Sequence, residues 1–110
     1  MKNGLDRNGY APSIIPGHDE HMCWLCARNG NGKMDRHEVF GGAYRAKSKR
    51  LGLWVHLCHD DCHLNGVHKS ATQASFLKAE AQREAMERYG WSREDFIREF
   101  GKNYILDLED

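Results

Sequence analysis

Two close pairs of cysteines constrain this chain more than any other feature. Cys23 and Cys26 stand in HMCWLCARNGNGK with two residues between them, and Cys58 and Cys62 stand in LCHDDCHLNGVH with three. Thirty-one residues separate the pairs. Soft thiolate ligands favour zinc, and four of them fill a tetrahedral site with no position left for substrate, so this pattern predicts a structural zinc held by Cys23, Cys26, Cys58 and Cys62. Buried free cysteines would not need to come in pairs. The wider second pair leaves one alternative open: should Cys62 turn away, His59 or His63 supplies the fourth ligand. At 110 residues a single core is workable but not generous, so the metal is expected to carry part of the folding free energy and chelation to unfold the chain.

Composition bounds the rest. A hydrophobic fraction of 40% with 29% charged residues describes a globular protein. No apolar run approaches the ~20 residues of a membrane span, and MKNGLDRNGYAPSIIPGHDEH lacks the apolar stretch of a secretory signal. A cytoplasmic protein without membrane contact is expected, and in a reducing compartment cysteine pairs point to metal and not to a disulfide scaffold. Net charge is zero but uneven: residues 1–69 carry ten Lys/Arg against seven Asp/Glu, and residues 70–110 carry six against nine. The run RAKSKR concentrates Arg45, Lys47, Lys49 and Arg50 in what reads as a loop, a candidate phosphate contact.

One α+β domain spans 1–110. Residues 1–21, with both prolines, read as an irregular lead-in. Residues 22–69 form the metal-binding core: a knuckle at Cys23 and Cys26, a short strand in RHEVFGG ended by Gly41 and Gly42, and a second strand in LWVHLC, where Leu53, Val55 and Leu57 alternate with Trp54, His56 and Cys58. Residues 70–110 turn helical. Ser70 and Gln73 make a capping box for a long helix whose stripe is Ala74, Leu77, Ala81, Ala85 and Tyr89, stopped by Gly90. Ser92 and Asp95 cap a short C-terminal helix carrying Phe96, Ile97 and Phe100, ended by Gly101. The alanine stripe is expected to pack on the metal-binding half. Isolated imidazoles such as His18 and His56 read as packed or surface side chains.

With zinc satisfied, His37, Glu38, His63 and His68 remain, together with His59, Asp60 and Asp61. The order C-x-x-C, then HEVFGG on a strand, then a strand ending in LC, then CH and VH, resembles the HNH endonucleases. It is most similar to the small zinc-containing versions encoded by phages and prophages. GLWVHLC, GVH and the tail FIREFGKNY extend the resemblance over roughly residues 22–105. It implies a ββα-metal core, two strands and a helix gripping one divalent cation (magnesium, manganese, nickel or zinc), and hydrolysis of phosphodiester bonds in DNA. His63, directly after Cys62, matches the histidine that binds the catalytic metal, and His68 is its companion. His37 is either a metal ligand, with Glu38 in the general-base position, or itself the base, with Glu38 structural or an additional ligand. The family's asparagine between the strands is missing: Tyr44 stands before Arg45, and no asparagine occurs between Gly32 and Asn65. The resemblance then implies one of two outcomes: Tyr44 orients the base by its hydroxyl, or activity is weakened or lost.

Three function classes follow. The first is a metal-dependent endonuclease nicking or cutting duplex DNA with low sequence specificity, with Arg45, Lys47, Lys49 and Arg50 on phosphates. The second is a non-catalytic zinc-binding module contacting nucleic acid or a protein partner, in which the histidines are dispensable. The third, a secreted disulfide scaffold, conflicts with the missing signal segment. Sequence leaves the oligomeric state undetermined.

Overall fold

A computed structural model describes residues 5–28, 33–67 and 70–105, with 64–67 as backbone alone. It is a small α+β protein built on a two-stranded sheet. Strand β1 (Met34–Glu38) pairs antiparallel with β2 (Trp54–Cys58), so that Asp35 faces Leu57, Arg36 faces His56 and His37 faces Val55. Side chains alternate along a strand. Asp35, His37, Val55 and Leu57 therefore share one face, and Arg36, Glu38, Trp54 and His56 share the other.

Between the strands lie a single 3-10 turn (Gly42–Tyr44) and helix α1 (Arg45–Leu51). After β2 the chain winds into a π-helical segment, His59–Val67, and then into α2 (Ala71–Tyr89) and α3 (Arg93–Phe100). Ser70 Oγ accepts the Gln73 N–H at 3.2 Å, and Ser92 and Asp95 form a full reciprocal capping box. Gly90 and Gly101 both take left-handed backbone to end their helices.

One buried cluster joins these parts: Cys23, Val39, Phe40, Leu53, Val55, Leu57, Cys58, Cys62, Leu77, Ala81, Ala85, Phe96 and Phe100. Small residues on α2 let it pack closely on the His59–Val67 segment and on the short C-terminal helix, so Leu77, Ala81 and Ala85 are buried while Tyr89 at the end of the stripe is exposed and donates its hydroxyl to Leu51 O. Ile97 likewise stays exposed while Phe96 and Phe100 go inside, stacked at 5.0 Å between ring centroids. Buried Gln82 pins the tail: its Nε2 donates to Asn103 Oδ1 at 2.7 Å and its Oε1 accepts from Tyr104 N at 2.6 Å.

Two expectations change. The basic run is helix α1, because Arg, Ala, Lys and Leu are strong helix formers and Gly52 supplies the left-handed C-cap. Buried Ser48 anchors it, donating to Phe40 O at 2.8 Å and accepting from Phe40 N at 3.2 Å. Among the described residues of the lead-in there is no helix, and one isolated bridge joins Asp19 to Met22, yet the segment is packed. Ala11 N donates to Lys49 O, Ile14 N to Gly52 O and Ser13 Oγ to Trp54 O, while Ile15 is buried. Gly52 is required by that approach: a Cβ there would sit 2.4 Å from Pro12 O. Among the described residues no helix is long and apolar enough to cross a membrane.

Candidate metal centres and the adjoining cavity

The knuckle builds the first centre from the backbone up. Ala27 N donates to Cys23 O and Cys23 N to Arg28 O, both at 2.8 Å, closing a tight turn that aims both thiols inward. Ala27 carries the turn in left-handed backbone at φ +61°. Trp24 N donates to His56 O at 2.9 Å and so docks the knuckle on β2, next to Cys58 at the strand's end.

All four cysteine sulfurs lie within 4.8 Å of one another, with Cys26 Sγ and Cys58 Sγ 3.8 Å apart. A tetrahedron with Zn–S bonds of ~2.3 Å has edges of roughly 3.8 Å, while a disulfide needs ~2.05 Å. The donor set and its spacing thus fit a zinc ion. Cys62 is one of the four, and the alternative imidazole ligands are occupied otherwise. Winding at i→i+5 turns His59 and His63 together onto Asp35 while Cys62 faces the sulfurs.

Burial pushes the Cys58 thiol up, and burial together with the neighbouring thiols pushes Cys62 up strongly. Burial would also raise Cys26, but hydrogen bonds from Arg28 outweigh it and bring that thiol down to about 6. Arg28 Nε lies 3.3 Å from Cys26 Sγ, and its other end reaches Asp61 at 3.2 Å. Crowded thiols that resist losing protons together are the environment a cation reverses, since it replaces the protons.

The second group lies on the sheet face that carries Asp35 and His37. Asp35 Oδ2 is shared by His59 Nδ1 at 2.6 Å and His63 Nδ1 at 2.8 Å. Partial burial alone would raise the Asp35 carboxyl, but the two imidazoles hold it below its usual range. A carboxylate at Nδ1 favours the tautomer that bears its proton there, the one suited to metal binding through Nε2. The His37 and His63 rings meet edge to face, 5.2 Å between centroids. His68 lies outside the described residues. Among those described, the cysteines are the one set of three or more ligand-type groups whose donor atoms converge.

His37 and His63 line a cavity of about 590 Å³ with Glu38, Arg36, Arg45, Lys78, Tyr10 and Gly41 also on its wall. Glu38 reaches it from the opposite sheet face, where its carboxylate accepts from Tyr10 Oη and, at 3.2 Å, from Arg45 Nε.

Helical winding divides the four basic residues. Arg45 turns to Glu38 and Lys49 lies over the Tyr10 ring at 5.0 Å, whereas Lys47 pairs with Glu99 at 3.0 Å and Arg50 is exposed. Tyr44 does not approach Glu38: its hydroxyl packs against Gly101, where a Cβ would lie 2.6 Å away. His18 and His56 are packed side chains, ring nitrogens 2.9 Å apart against Trp54, and burial lowers both pKa values.

Sequence reasoning missed Asp35 and Tyr10. Asp35 had a usable signal, since D-x-H on a strand puts both side chains on one face. Tyr10 had none, being brought in by an irregular segment. A scan of protein-family models and searches of curated proteins and of solved structures found no match to this chain.

Proposed function

We propose that this protein is a metal-dependent HNH-type endonuclease that hydrolyses phosphodiester bonds in DNA, with zinc on the four cysteines and a second divalent cation on His37, His63 and His68. In this reading β1, β2 and the His59–Val67 segment are the strands and helix of a ββα-metal core. The observation that supports it most is the meeting of His37 and His63 at 5.2 Å on the wall of a cavity that also bears a carboxylate and cationic side chains.

A phosphodiester repels nucleophiles with its own anionic oxygens. A divalent cation bound there would neutralise charge building on the phosphate. Arg45 and Lys78 add positive charge around the same cavity and orient the DNA backbone. Asp35 fixes the His63 ring so that Nε2 is its ligand atom. Since His37 lies beside His63 and Glu38 stands on the other face, we assign His37 to the cation and Glu38 to the proton. Glu38 takes a proton from water as the water oxygen bonds to phosphorus. The bond from phosphorus to the leaving sugar oxygen breaks with its electron pair, and that oxygen is then protonated from solvent.

Supercoiled plasmid incubated with the zinc-loaded protein and magnesium, manganese or nickel should be nicked, and a chelator of the added cation should stop it. His37→Ala should abolish nicking while zinc content and thermal unfolding stay as in the wild type. Equal nicking by the variant would reveal a contaminant. No nicking by either protein would leave the non-catalytic zinc module as the better reading.

A further inference from the structure

In the resembled family a loop side chain orients the base, and here the residue in that place has its hydroxyl against Gly101, with its ring 5.7 Å from Phe100. Glu38 is met instead from the lead-in. Tyr10 Oη donates to Glu38 Oε2, while Arg45 Nε donates to Oε1.

Tyr10 is held firmly for a residue outside any helix or strand. Asp6 Oδ1 accepts the backbone N–H groups of Asn8 and Tyr10, each at 2.9 Å, and Asp6 N donates to Tyr10 O at 2.9 Å. The Arg36 guanidinium ties Asp6, at 2.9 Å, to the Tyr10 ring, over which it lies at 4.3 Å. Lys49 lies over the same ring at 5.0 Å, and the ring meets Trp54 edge to face at 5.1 Å. Burial and the Glu38 carboxylate push the phenol up to about 12, so through neutral pH it is a proton donor to Glu38 and never a competing anion. Ring packing alone would be served equally by phenylalanine. Among the described residues the hydroxyl has one hydrogen-bond partner, the carboxylate on the cavity wall.

We propose that Tyr10 is a positioning residue for Glu38: the lead-in carries it across the sheet to fix the carboxylate that takes the proton from water, the task Tyr44 does not perform. This rests on the nuclease reading. A hydrogen bond to a charged group is worth ~1.5–3 kcal/mol, so its loss corresponds to roughly ten- to a hundredfold. Tyr10→Phe should therefore lower kcat for plasmid nicking by that factor with KM for DNA unchanged. Glu38→Gln should be severely impaired, and adding Tyr10→Phe to it should cost nothing further, because Tyr10 acts only through Glu38.

A second readout needs no DNA: a crystal structure of Tyr10→Phe should show the Glu38 carboxylate displaced from the place it holds against Tyr10 and Arg45, with the zinc content and thermal midpoint of the wild type. A nicking wild type whose kcat and Glu38 position are both unmoved by Tyr10→Phe overturns this proposal alone. So does a further loss in the double variant, or faster nicking by Tyr10→Phe. A wild type that nicks under no cation condition overturns the nuclease reading and takes the proposal with it.

Discussion

The cysteine centre and the histidine group sit on neighbouring parts of the same sheet, and they are built in opposite ways. At the first, four sulfurs converge within 4.8 Å, three of the four cysteines are buried, and the knuckle turn, β2 and the His59–Val67 segment all close on one point. At the second, His37 and His63 stand at the edge of an open cavity, and the groups that orient them lie behind: Asp35 under His63, and Tyr10 and Arg45 around Glu38. A closed donor set gives stability and leaves nothing for a substrate to touch. An open one would hold a cation less tightly but would admit a phosphate. Two sites formed by one short stretch of chain can therefore answer to different demands.

Mutation should expose that asymmetry most at the cysteines. Structural zinc in small domains contributes ~10 kcal/mol or more, about as large as the whole stability of an ordinary domain. Cys26→Ser, or removal of zinc by a strong chelator, is expected to abolish cooperative thermal unfolding, measured by circular dichroism. Because thiolates must take up protons as zinc leaves, release should be steep as pH falls, with Cys58 and Cys62, both raised by burial, recovering theirs readily. A cooperative melt that survives chelation would make the cysteines mere core residues and erase the contrast.

At the histidine group the expected effects are on binding and not on folding. Asp35→Asn keeps the shape of the side chain but replaces a carboxylate that orients two imidazoles. Loss of such a partner typically weakens metal affinity ~10–100-fold. Calorimetric titration of manganese or nickel into zinc-loaded protein should show that loss, with zinc content unaltered. Unchanged affinity would mean that His63 is not a ligand, whatever its neighbours.

The buried amide of Gln82 tests a third part of the molecule that belongs to neither centre. It is fully buried and holds Asn103 and Tyr104 through both ends of its amide. Gln82→Leu leaves the Tyr104 N–H without its acceptor, while Asn103 Oδ1 keeps the Ile105 N–H, at about 1–3 kcal/mol. The thermal midpoint should fall by several degrees while zinc retention and cation affinity stay at wild-type values.

The cysteine pairs, the strand in LWVHLC and the helix stops at Gly90 and Gly101 were legible in sequence because each is a local pattern with a local cause. That strand is nevertheless buried on both faces, Trp54 and Cys58 included, where the alternation implied one. Ser92 and Asp95 are a clear case: the side chains that cap α3 lie within one turn of each other. RAKSKR misled because charge suggests solvent, and solvent suggests loop, although its Arg, Ala and Lys favour helix, its Ser48 is held by Phe40, and Gly52 ends it. Tyr10 and Glu38 meet across 28 positions of chain through a segment with no periodicity, so no window of sequence contains the signal. Asp35 lies between these cases, readable from its spacing to His37 once the strand is known but silent about the two imidazoles that turn back onto it.

The smallest expected effect returns to the zinc knuckle and concerns one methyl group. Ala27 is exposed and holds φ +61°, the only described residue other than glycine with positive φ. Left-handed backbone costs an L-residue with a Cβ roughly 1–2 kcal/mol, a cost glycine escapes. Glycine also widens the unfolded ensemble, which takes back ~0.4–1 kcal/mol. The difference favours Ala27→Gly by about 0.5–1 kcal/mol, since no buried contact is lost with an exposed methyl. For a chain of this size that should raise the thermal midpoint of the zinc-loaded protein by ~2–6 °C. Cation affinity at His37 and His63 should not change, because the turn touches only the cysteine side. A lowered midpoint would show that the turn does not adopt left-handed backbone at Ala27, and the geometry by which Cys23 and Cys26 converge would have to be different.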